Sequence, residues 1–288
     1  MKPALDLLGC PADTTLLIIH ADDLGMCHSV NAATLKALDE GAISSASAMV
    51  PCSCFAEVAE YAKSHPEADL GVHLTLTSEW ENYRWRPVAE RPSCASLVDD
   101  TGYFFRRPPA AGWNTDEARL EFSAQIAEAR RAGLNPTHID SHMLAAMTNA
   151  DLLGAYVELG RQNRIPFLLS GSITSGFEGL VTESDIIVDK VFSLRPGLPP
   201  GEWRNYYLRV LGSLAPGLNQ LIVHLGYDDP ELQAITSGRA FWGAAWRQKD
   251  YDTVTSLEFK SAIKAQNIRL IGWRELNSLR QFPADPVT

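Results

Sequence analysis

The chain has 288 residues and a formal net charge of −10, and hydrophobic residues make up 45% of it. That apolar fraction excludes a mainly disordered chain, and the length allows a large core that needs no disulfide bonds. The acidic balance argues against a nucleic-acid-binding surface or a polybasic membrane patch, but it is compatible with an uncharged substrate such as a sugar.

The cysteines and the N-terminus bear on the cellular compartment. The five cysteines are an odd number without a CxxC pair, so we expect free structural thiols and a cytoplasmic location. They are Cys10, Cys27, Cys52, Cys54 and Cys94. The N-terminal apolar run is too weak for a secretory signal, and no run of about 18 apolar residues predicts a membrane span.

Short apolar runs alternate with longer amphipathic stretches along the chain. The runs predict strands at 16–19, 46–50, 69–75, 137–141, 165–169, 185–188, 221–224 and 268–272. The amphipathic stretches predict helices at 29–40, 54–63, 115–131, 149–163 and 253–266. Ser29 and Thr115 are the expected N-caps of the first and third of these helices.

This order predicts the architecture. Strands that are apolar throughout are typical of a parallel sheet with helices on both faces. We therefore predict an α/β fold, a distorted TIM-like (β/α) barrel with about seven or eight parallel strands. One domain is expected to cover 1–288, with a core at about 15–276. An open doubly wound sheet is the alternative.

A long irregular stretch at about 78–114 interrupts the alternation and is rich in proline and aromatic residues. Loops of this length inside a domain are usually functional or mobile. Trp80, Trp85 and Tyr103 could offer a stacking surface for a sugar ring. Equally, they could be ordinary hydrophobic anchors of the loop.

Four predicted strands end in ionisable residues, which are rarely buried without partners. Asp22 and Asp23 end the first, His73 lies on the third, the segment 140–142 ends the fourth, and His224 ends a late one. The carboxyl ends of barrel strands converge on one mouth, so we expect these side chains to be neighbours.

Asp22 and Asp23 need a special backbone to act together. Adjacent residues in a strand point to opposite faces, so both can serve one site only at a strand end or a turn, which Gly25 permits. Carboxylates this close repel, which favours a cation between them or a raised pKa on one. The alternative is an Asx-type turn with an acid at the helix start.

The fourth motif places His138, Asp140 and His142 at one parity, hence on one face if the strand persists. Asp140 could orient an imidazole by accepting its N–H. His138 follows Pro136 closely and is more simply a packed or supporting residue. His73, taken alone, could also be a satisfied strand histidine.

Asp23, His73 and His142 together comprise one carboxylate and two imidazoles. Such a set with open positions suits a catalytic divalent metal, since water can occupy the remaining coordination. Two nitrogen ligands favour Zn2+, whereas a carboxylate with waters would also accommodate Mg2+ or Mn2+.

These motifs, in this order and spacing, resemble the YdjC-like (ChbG/HpnK) carbohydrate deacetylases. The resemblance covers most of 15–276 and includes the segment Gly41–Val50, which is similar to the one after the family's first helix. Each motif is weak alone, and the combination is specific. The motifs are Ala21–Gly25, Gly71–Thr77, Thr137–His142 and Leu221–His224.

The resemblance implies a distorted TIM-like barrel that removes the acetyl group from an N-acetylated amino sugar or chitooligosaccharide. It implies Asp23, His73 and His142 as ligands of one divalent metal ion, usually Mg2+. It also implies Asp22 as the general base that activates water and His224 as a candidate acid for the leaving amine.

The chain departs from the family at two points. Met143–Ala146 replaces a His-rich run, and Leu225 stands where a proline usually follows the late histidine. Two alternatives stay open: another metal-dependent hydrolase acting on a different N-acyl or phosphoester substrate, and a non-catalytic sugar-binding barrel. The exact sugar, the metal and the oligomeric state, for which a homodimer is one option, are open at this stage.

Overall fold

The computed structural model describes residues 4–90, 92–110, 112–171, 178–183, 185–239 and 241–278. Its strands are β1 (Thr15–Leu24), β2 (Ser45–Ala48), β3 (Leu70–Leu74), β4 (Ile139–Ser141), β5 (Lys190–Ser193), β6 (Gly217–Val223) and β7 (Arg269–Leu270). They form one parallel sheet in the order β4-β3-β2-β1-β6-β5, and β7 pairs with the start of β1.

Helices cover the sheet. In chain order the α-helices of the described part are α1 (Ala4–Leu7), α2 (His28–Asp39), α3 (Phe55–Ser64), α4 (Thr115–Ala132), α5 (Ala150–Gln162), α6 (Trp203–Gly212), α7 (Pro230–Ile235), α8 (Ala244–Val254), α9 (Leu257–Ala265) and α10 (Trp273–Ser278). Short 3-10 helices occupy Ala95–Leu97, His142–Met147, Glu178–Leu180 and Pro200–Glu202.

The sheet curls in the manner of a TIM barrel, but its regular strands do not close it. Among the described residues between β4 and β5, two isolated parallel bridges, Ile139 with Phe167 and Ser170 with Val188, continue the pairing. The predicted strands at 165–169 and 185–188 are therefore wrong as regular strands within the part that the structure describes. Pro166 lacks a backbone N–H and cannot extend a ladder there, which gives a physical reason for the first.

β1 is the central strand and explains where the ionisable residues gather. It is buried along nearly its whole length and pairs with β6 on one side and with β2 and β7 on the other. A strand with neighbours on both edges and helices on both faces must be apolar, as 16–19 is. Its carboxyl end carries Asp22 and Asp23 into the mouth of the half-barrel.

Three helix predictions need correction at their ends. The N-cap of α4 is Asn114, not Thr115, because the Asn114 side chain accepts hydrogen bonds from the N–H groups of Asp116 and Glu117. Ser29 lies inside α2, which begins one residue earlier. The stretch predicted as a single helix at 253–266 includes the end of α8 and all of α9, separated at Ser256, whose side chain caps α9.

The irregular stretch at 78–114 is packed against the core. Within its described residues it contains one short 3-10 helix and one antiparallel bridge, between Val98 and Phe104. Five of its large apolar side chains are buried. They are Trp80, Trp85, Leu97, Phe104 and Trp113.

All five cysteines are free, and three of them are buried, as expected of structural thiols. No helix in the described ranges has both the length and the apolar character needed to cross a bilayer.

Candidate metal centre

A local break in β1 brings both of its terminal carboxylates to one site. Asp23 has φ of 68°, and the pairing with β2 shifts register between Ala21 and Leu24. Gly25 follows with φ of 93°, the turn that glycine permits. A left-handed aspartate in a buried strand is uncommon and strained, and such strain is typical of functional positions. The break cancels the alternation that would point Asp22 and Asp23 to opposite faces.

Asp23, His73 and His142, hereafter the ligand triangle, present three atoms at nearly equal separations. Asp23 Oδ1 lies 3.4 Å from His73 Nε2 and 3.2 Å from His142 Nδ1, and these two nitrogens are 3.3 Å apart. A triangle with sides near 3.3 Å has its centre about 1.9 Å from each corner, close to metal–nitrogen bonds of ~2.0–2.1 Å. The three atoms could therefore bind one cation.

Each member of the ligand triangle has a charged partner on its other side. Asp140 Oδ1 accepts from His73 Nδ1 at 2.7 Å, because β3 and β4 place these two residues in register. Glu79 Oε2 lies 3.0 Å from His142 Nε2. Arg247 Nη2 donates to Asp23 Oδ2 at 2.6 Å. These contacts leave one atom of each ligand directed at the common point.

The charges stabilise the ionised forms of these groups. Burial opposes ionisation of Asp23, but Arg247 and the imidazoles hold the pKa of that carboxyl well below its usual value. Burial likewise disfavours protonated His142, yet Glu79 and Asp23 raise the pKa of His142 to about 9. Asp140 and the other carboxylates raise the pKa of His73 in spite of its burial. Carboxylates so arranged attract positive charge, whether protons or a metal ion.

Asp22 and His224 lie beside the ligand triangle and are more accessible than it is. Their side chains are 14% and 19% exposed, against 2–5% for the three ligands. Asp22 Oδ2 is 4.0 Å from His73 Nε2 and 3.8 Å from His224 Nε2. The buried Oδ1 of Asp22 has no hydrogen bond of good geometry. These two side chains therefore face the space that a substrate would enter.

His224 is placed by its backbone, and its surroundings favour the neutral imidazole. Its N–H donates to Asp250 Oδ2 at 3.0 Å, and Asp250 is itself held by Trp203 and Tyr207. This anchor on α8 fixes the backbone at His224. Burial lowers the pKa of His224, and the nearby carboxylates do not reverse the shift.

His20, His138 and Asp140, hereafter the basal cluster, lie one layer below. They too bring potential ligand atoms within 4.8 Å of one another. Asp140 Oδ2 accepts from His20 Nε2 at 2.9 Å. His138 stacks on Trp273 with ring centroids 5.4 Å apart. His142 leaves the strand ladder in a 3-10 turn, because β4 ends at Ser141.

The aromatic residues that sequence patterns offered for sugar stacking are placed differently from one another. Trp80 and Trp85 are buried, with their indole N–H groups donating to Met26 Sδ and the Thr77 carbonyl. Those contacts fit loop anchoring. Tyr103 packs under the guanidinium of Arg86, 4.2 Å from its ring centroid.

Two residues at the site were not anticipated from the sequence. Glu79 lies in the irregular stretch, five residues after the end of β3, and Arg247 lies on α8. Neither belongs to a strand-end motif. For Glu79 the proximity to β3 was a weak signal, and for Arg247 the sequence has none.

Comparison with known proteins places this site in context. The family model for YdjC-like proteins matches residues 16–265. A carbohydrate deacetylase of Thermus thermophilus is 34% identical over 263 residues, covering 86% of this chain and 89% of that protein. A chitooligosaccharide deacetylase of Yersinia enterocolitica is 33% identical over 129 residues, 44% of this chain and 49% of that one.

A solved structure resembles this chain over nearly its full length. The crystal structure of an Enterococcus faecalis V583 protein, provisionally named for cellobiose-phosphate cleavage, has a TM-score of 0.77. It is 27% identical and covers 91% of this chain and 99% of the other.

Proposed function

Because the chain belongs to the YdjC-like family and is a carbohydrate deacetylase, we propose that it removes the N-acetyl group of an amino sugar or chitooligosaccharide, using one divalent metal ion. The observation that carries the metal-dependent part is the ligand triangle. Its three donor atoms are 3.2–3.4 Å apart, and each ligand is held from behind by a charged partner.

The donor set fits a divalent ion. Buried Asp23 Oδ1 has no hydrogen bond of good geometry, so an ion would satisfy an otherwise costly carboxylate oxygen. Ligand atoms ~2.0 Å from a tetrahedral ion lie about 3.3 Å apart, and those ~2.1 Å from an octahedral ion about 3.0 Å apart. The separations here, 3.2–3.4 Å, are compatible with either ion, and the two imidazole nitrogens favour Zn2+ over the Mg2+ that the family resemblance implies.

A cation at this point would polarise the acetyl carbonyl and lower the pKa of a water molecule. Asp22 is the general base of the proposal. Its carboxylate is accessible and adjoins the ligand triangle without belonging to it, so it can accept the proton that water loses as its oxygen attacks the carbonyl carbon. Asp23 is a poor base, because Arg247 and the imidazoles hold the pKa of its carboxyl well below the usual value and so make it a weak proton acceptor.

His224 is the proposed acid for the leaving amine. Its Nε2 lies 3.8 Å from Asp22 Oδ2, so once the two side chains close to hydrogen-bond distance a proton taken by Asp22 can move to the imidazole and then to the nitrogen as the C–N bond breaks. Since the pKa of His224 is lowered, its protonated form is a comparatively strong acid once formed.

The substrate class rests on the relatives. Those named carbohydrate and chitooligosaccharide deacetylases support an N-acetylated sugar. A phosphorylated sugar, suggested by the provisional name of the Enterococcus protein, would call for free cationic groups. Arg247 and Arg239 each donate through Nη2 to a protein oxygen, Asp23 Oδ2 and the Glu79 carbonyl, although the buried Nη1 of Arg247 has no such partner.

Acetate release tests the proposal. Purified protein is stripped with chelator, reloaded with Mg2+, Mn2+ or Zn2+ in parallel, and incubated with N-acetylated chitooligosaccharides. We expect release that depends on the metal and is lost in Asp23→Ala and His142→Ala. Failure to release acetate with any of these ions would contradict the proposal. Release that survives either substitution would contradict the site.

A further inference from the structure

We propose that Glu79 is a positioning residue that fixes which nitrogen of His142 is available to the metal. The inference rests on the proposed metal site. Glu79 Oε2 lies 3.0 Å from His142 Nε2, and the opposite nitrogen, Nδ1, points to Asp23 Oδ1 and His73 Nε2. Glu79 therefore determines that His142 coordinates through Nδ1.

The two imidazoles of the ligand triangle are used in opposite senses. His73 is held at Nδ1 by Asp140 and presents Nε2, whereas His142 is held at Nε2 by Glu79 and presents Nδ1. A neutral imidazole carries its proton on one nitrogen only, and the hydrogen bond at that nitrogen selects the tautomer. Without Glu79, nothing in the described contacts of His142 Nε2 would select the tautomer that leaves Nδ1 free.

Glu79 is held in place before any ligand arrives. Its side chain is buried, and its carbonyl accepts from Arg239 Nη2 at 2.8 Å. The same guanidinium lies 5.4 Å from the ring centroid of Trp80, which is itself buried and donates to Met26. These contacts link the Glu79 backbone to the α7–α8 connection, and burial restricts the side chain, so less freedom remains to be lost when His142 binds a metal.

A second buried glutamate in the same chain shows what a purely structural role looks like. Glu121 accepts from the backbone N–H groups of Val88 and Ala89 at 3.0 and 2.8 Å, and from Gln125. Its carboxylate therefore ties the irregular stretch to α4. Glu79 directs its carboxylate at the ring of a proposed ligand.

The test compares Zn2+ affinity, measured by chelator competition, in Glu79→Leu, Glu79→Gln and the controls Glu121→Gln and Glu81→Gln. We expect Glu79→Leu to weaken binding by about 10–100-fold, the usual cost of losing such a partner. Glu79→Gln keeps an oxygen that can accept from Nε2 and should lose less. Glu121→Gln should lower the melting temperature without weakening Zn2+ binding, and exposed Glu81 should matter to neither.

The coordinating nitrogen can also be identified directly, without any variant. In the Zn2+-loaded wild type, 15N spectra of the imidazoles should show His142 with the metal on Nδ1 and the proton on Nε2. Coordination through Nε2, or Zn2+ affinity of Glu79→Leu equal to that of wild type, would overturn the inference. If Zn2+ binding depends on Glu79 but no acetate is released, the proposed function fails and the positioning role stands.

Discussion

The ligand triangle and the basal cluster contain the same residue types one layer apart, and they differ in what their atoms contact. In the basal cluster the His20 nitrogens lie 3.0 and 3.1 Å from the Ser45 and Ser47 hydroxyls. Asp140 Oδ2, which accepts from His20, also accepts from the Ser47 hydroxyl at 2.9 Å. The packing is also closed, since a Cβ on Gly71 would overlap the ring of His138.

In the ligand triangle the inner atoms face one another, and the hydrogen bonds lie on the outer side. Proximity of histidines and carboxylates is therefore a poor guide to a metal site, because both groups satisfy it. The difference lies in how many donor atoms are already used by other protein groups: in the basal cluster the His20 nitrogens and Asp140 Oδ2 are used, and only His138 Nε2 has no hydrogen bond. Asp140 joins the layers, bonding His20 with one oxygen and orienting His73 with the other.

Replacing one histidine in each layer should give the largest difference in activity between the two layers. We expect His73→Phe to reduce deacetylation by more than about 10⁴-fold. The contribution of the metal is lost together with that of the general base, and general-base catalysis alone contributes about 10²–10⁴-fold. His138→Phe, which keeps a ring to stack on Trp273, should retain activity and Zn2+ affinity. Equal losses in both variants, measured by acetate release, would remove the distinction between the layers.

Asp22 lies where the layers meet, with Oδ1 3.3 Å from His20 Nε2 and Oδ2 facing His224. We expect Asp22→Asn to lower kcat by about 10²–10⁴-fold while Zn2+ affinity stays close to that of the wild type. A large loss of affinity instead would make Asp22 a ligand rather than the base. Steady-state kinetics combined with chelator competition separates these outcomes.

Metal affinity should depend on pH through the two histidines of the ligand triangle. The pKa of His142 is about 9 and that of His73 is also raised, so a metal that binds both imidazoles must displace protons from them. Apparent Zn2+ affinity should rise by at least about tenfold per pH unit between pH 6.5 and 9. Proton release on Zn2+ binding, measured by calorimetry in buffers of different ionisation enthalpy, checks this. A flat profile would contradict the proposed ligands.

The same shifts affect the stability of the metal-free protein. A histidine with a raised pKa in the folded state stabilises it below the unfolded pKa, and that stability is lost as pH rises through the folded value. His142 and His20, both with pKa of about 9, should therefore make the metal-free protein less stable between pH 6.5 and 9. Bound Zn2+ should reduce this loss for His142 but not for His20. Melting temperatures across this range test the sign.

The smallest effect concerns packing in the basal cluster. Gly71→Ala should cost about 1–3 kcal/mol of unfolding free energy, because the added methyl overlaps His138. In a His138→Ser background the same change should cost much less. Urea unfolding of the four proteins in this cycle measures the coupling. If the costs in unfolding free energy are additive, contact with His138 is not the reason that alanine is unfavourable at position 71.

The sequence predicted that Asp23, His73 and His142 would be neighbours, because they lie on or directly after strands that end at the same mouth. Asp23 follows an apolar run and His73 lies within one, so both could be placed at the mouth before the register was known. Glu79 and Arg247 could not be placed this way. They arrive from a loop and a helix whose positions depend on long-range packing, and no periodicity marks them.

The strands, too, were predicted best where the local sequence pattern is strong. Long apolar strands such as β1 and β6 were predicted, and the errors fell where the sheet is irregular. The run at 165–169 contains Pro166 and forms one bridge instead of a strand, while β5 is partly exposed and lacks an apolar signature. A pattern can reveal a buried strand, but the closure of a barrel depends on pairing between distant segments.

The most direct test of the central claim is anomalous diffraction from a crystal of the Zn2+-loaded protein. The account predicts one strong peak about 2 Å from Asp23 Oδ1, His73 Nε2 and His142 Nδ1, with Glu79 still on His142 Nε2. It predicts no peak among His20, His138 and Asp140. A metal held by the basal cluster, or one that does not contact Asp23, would contradict it.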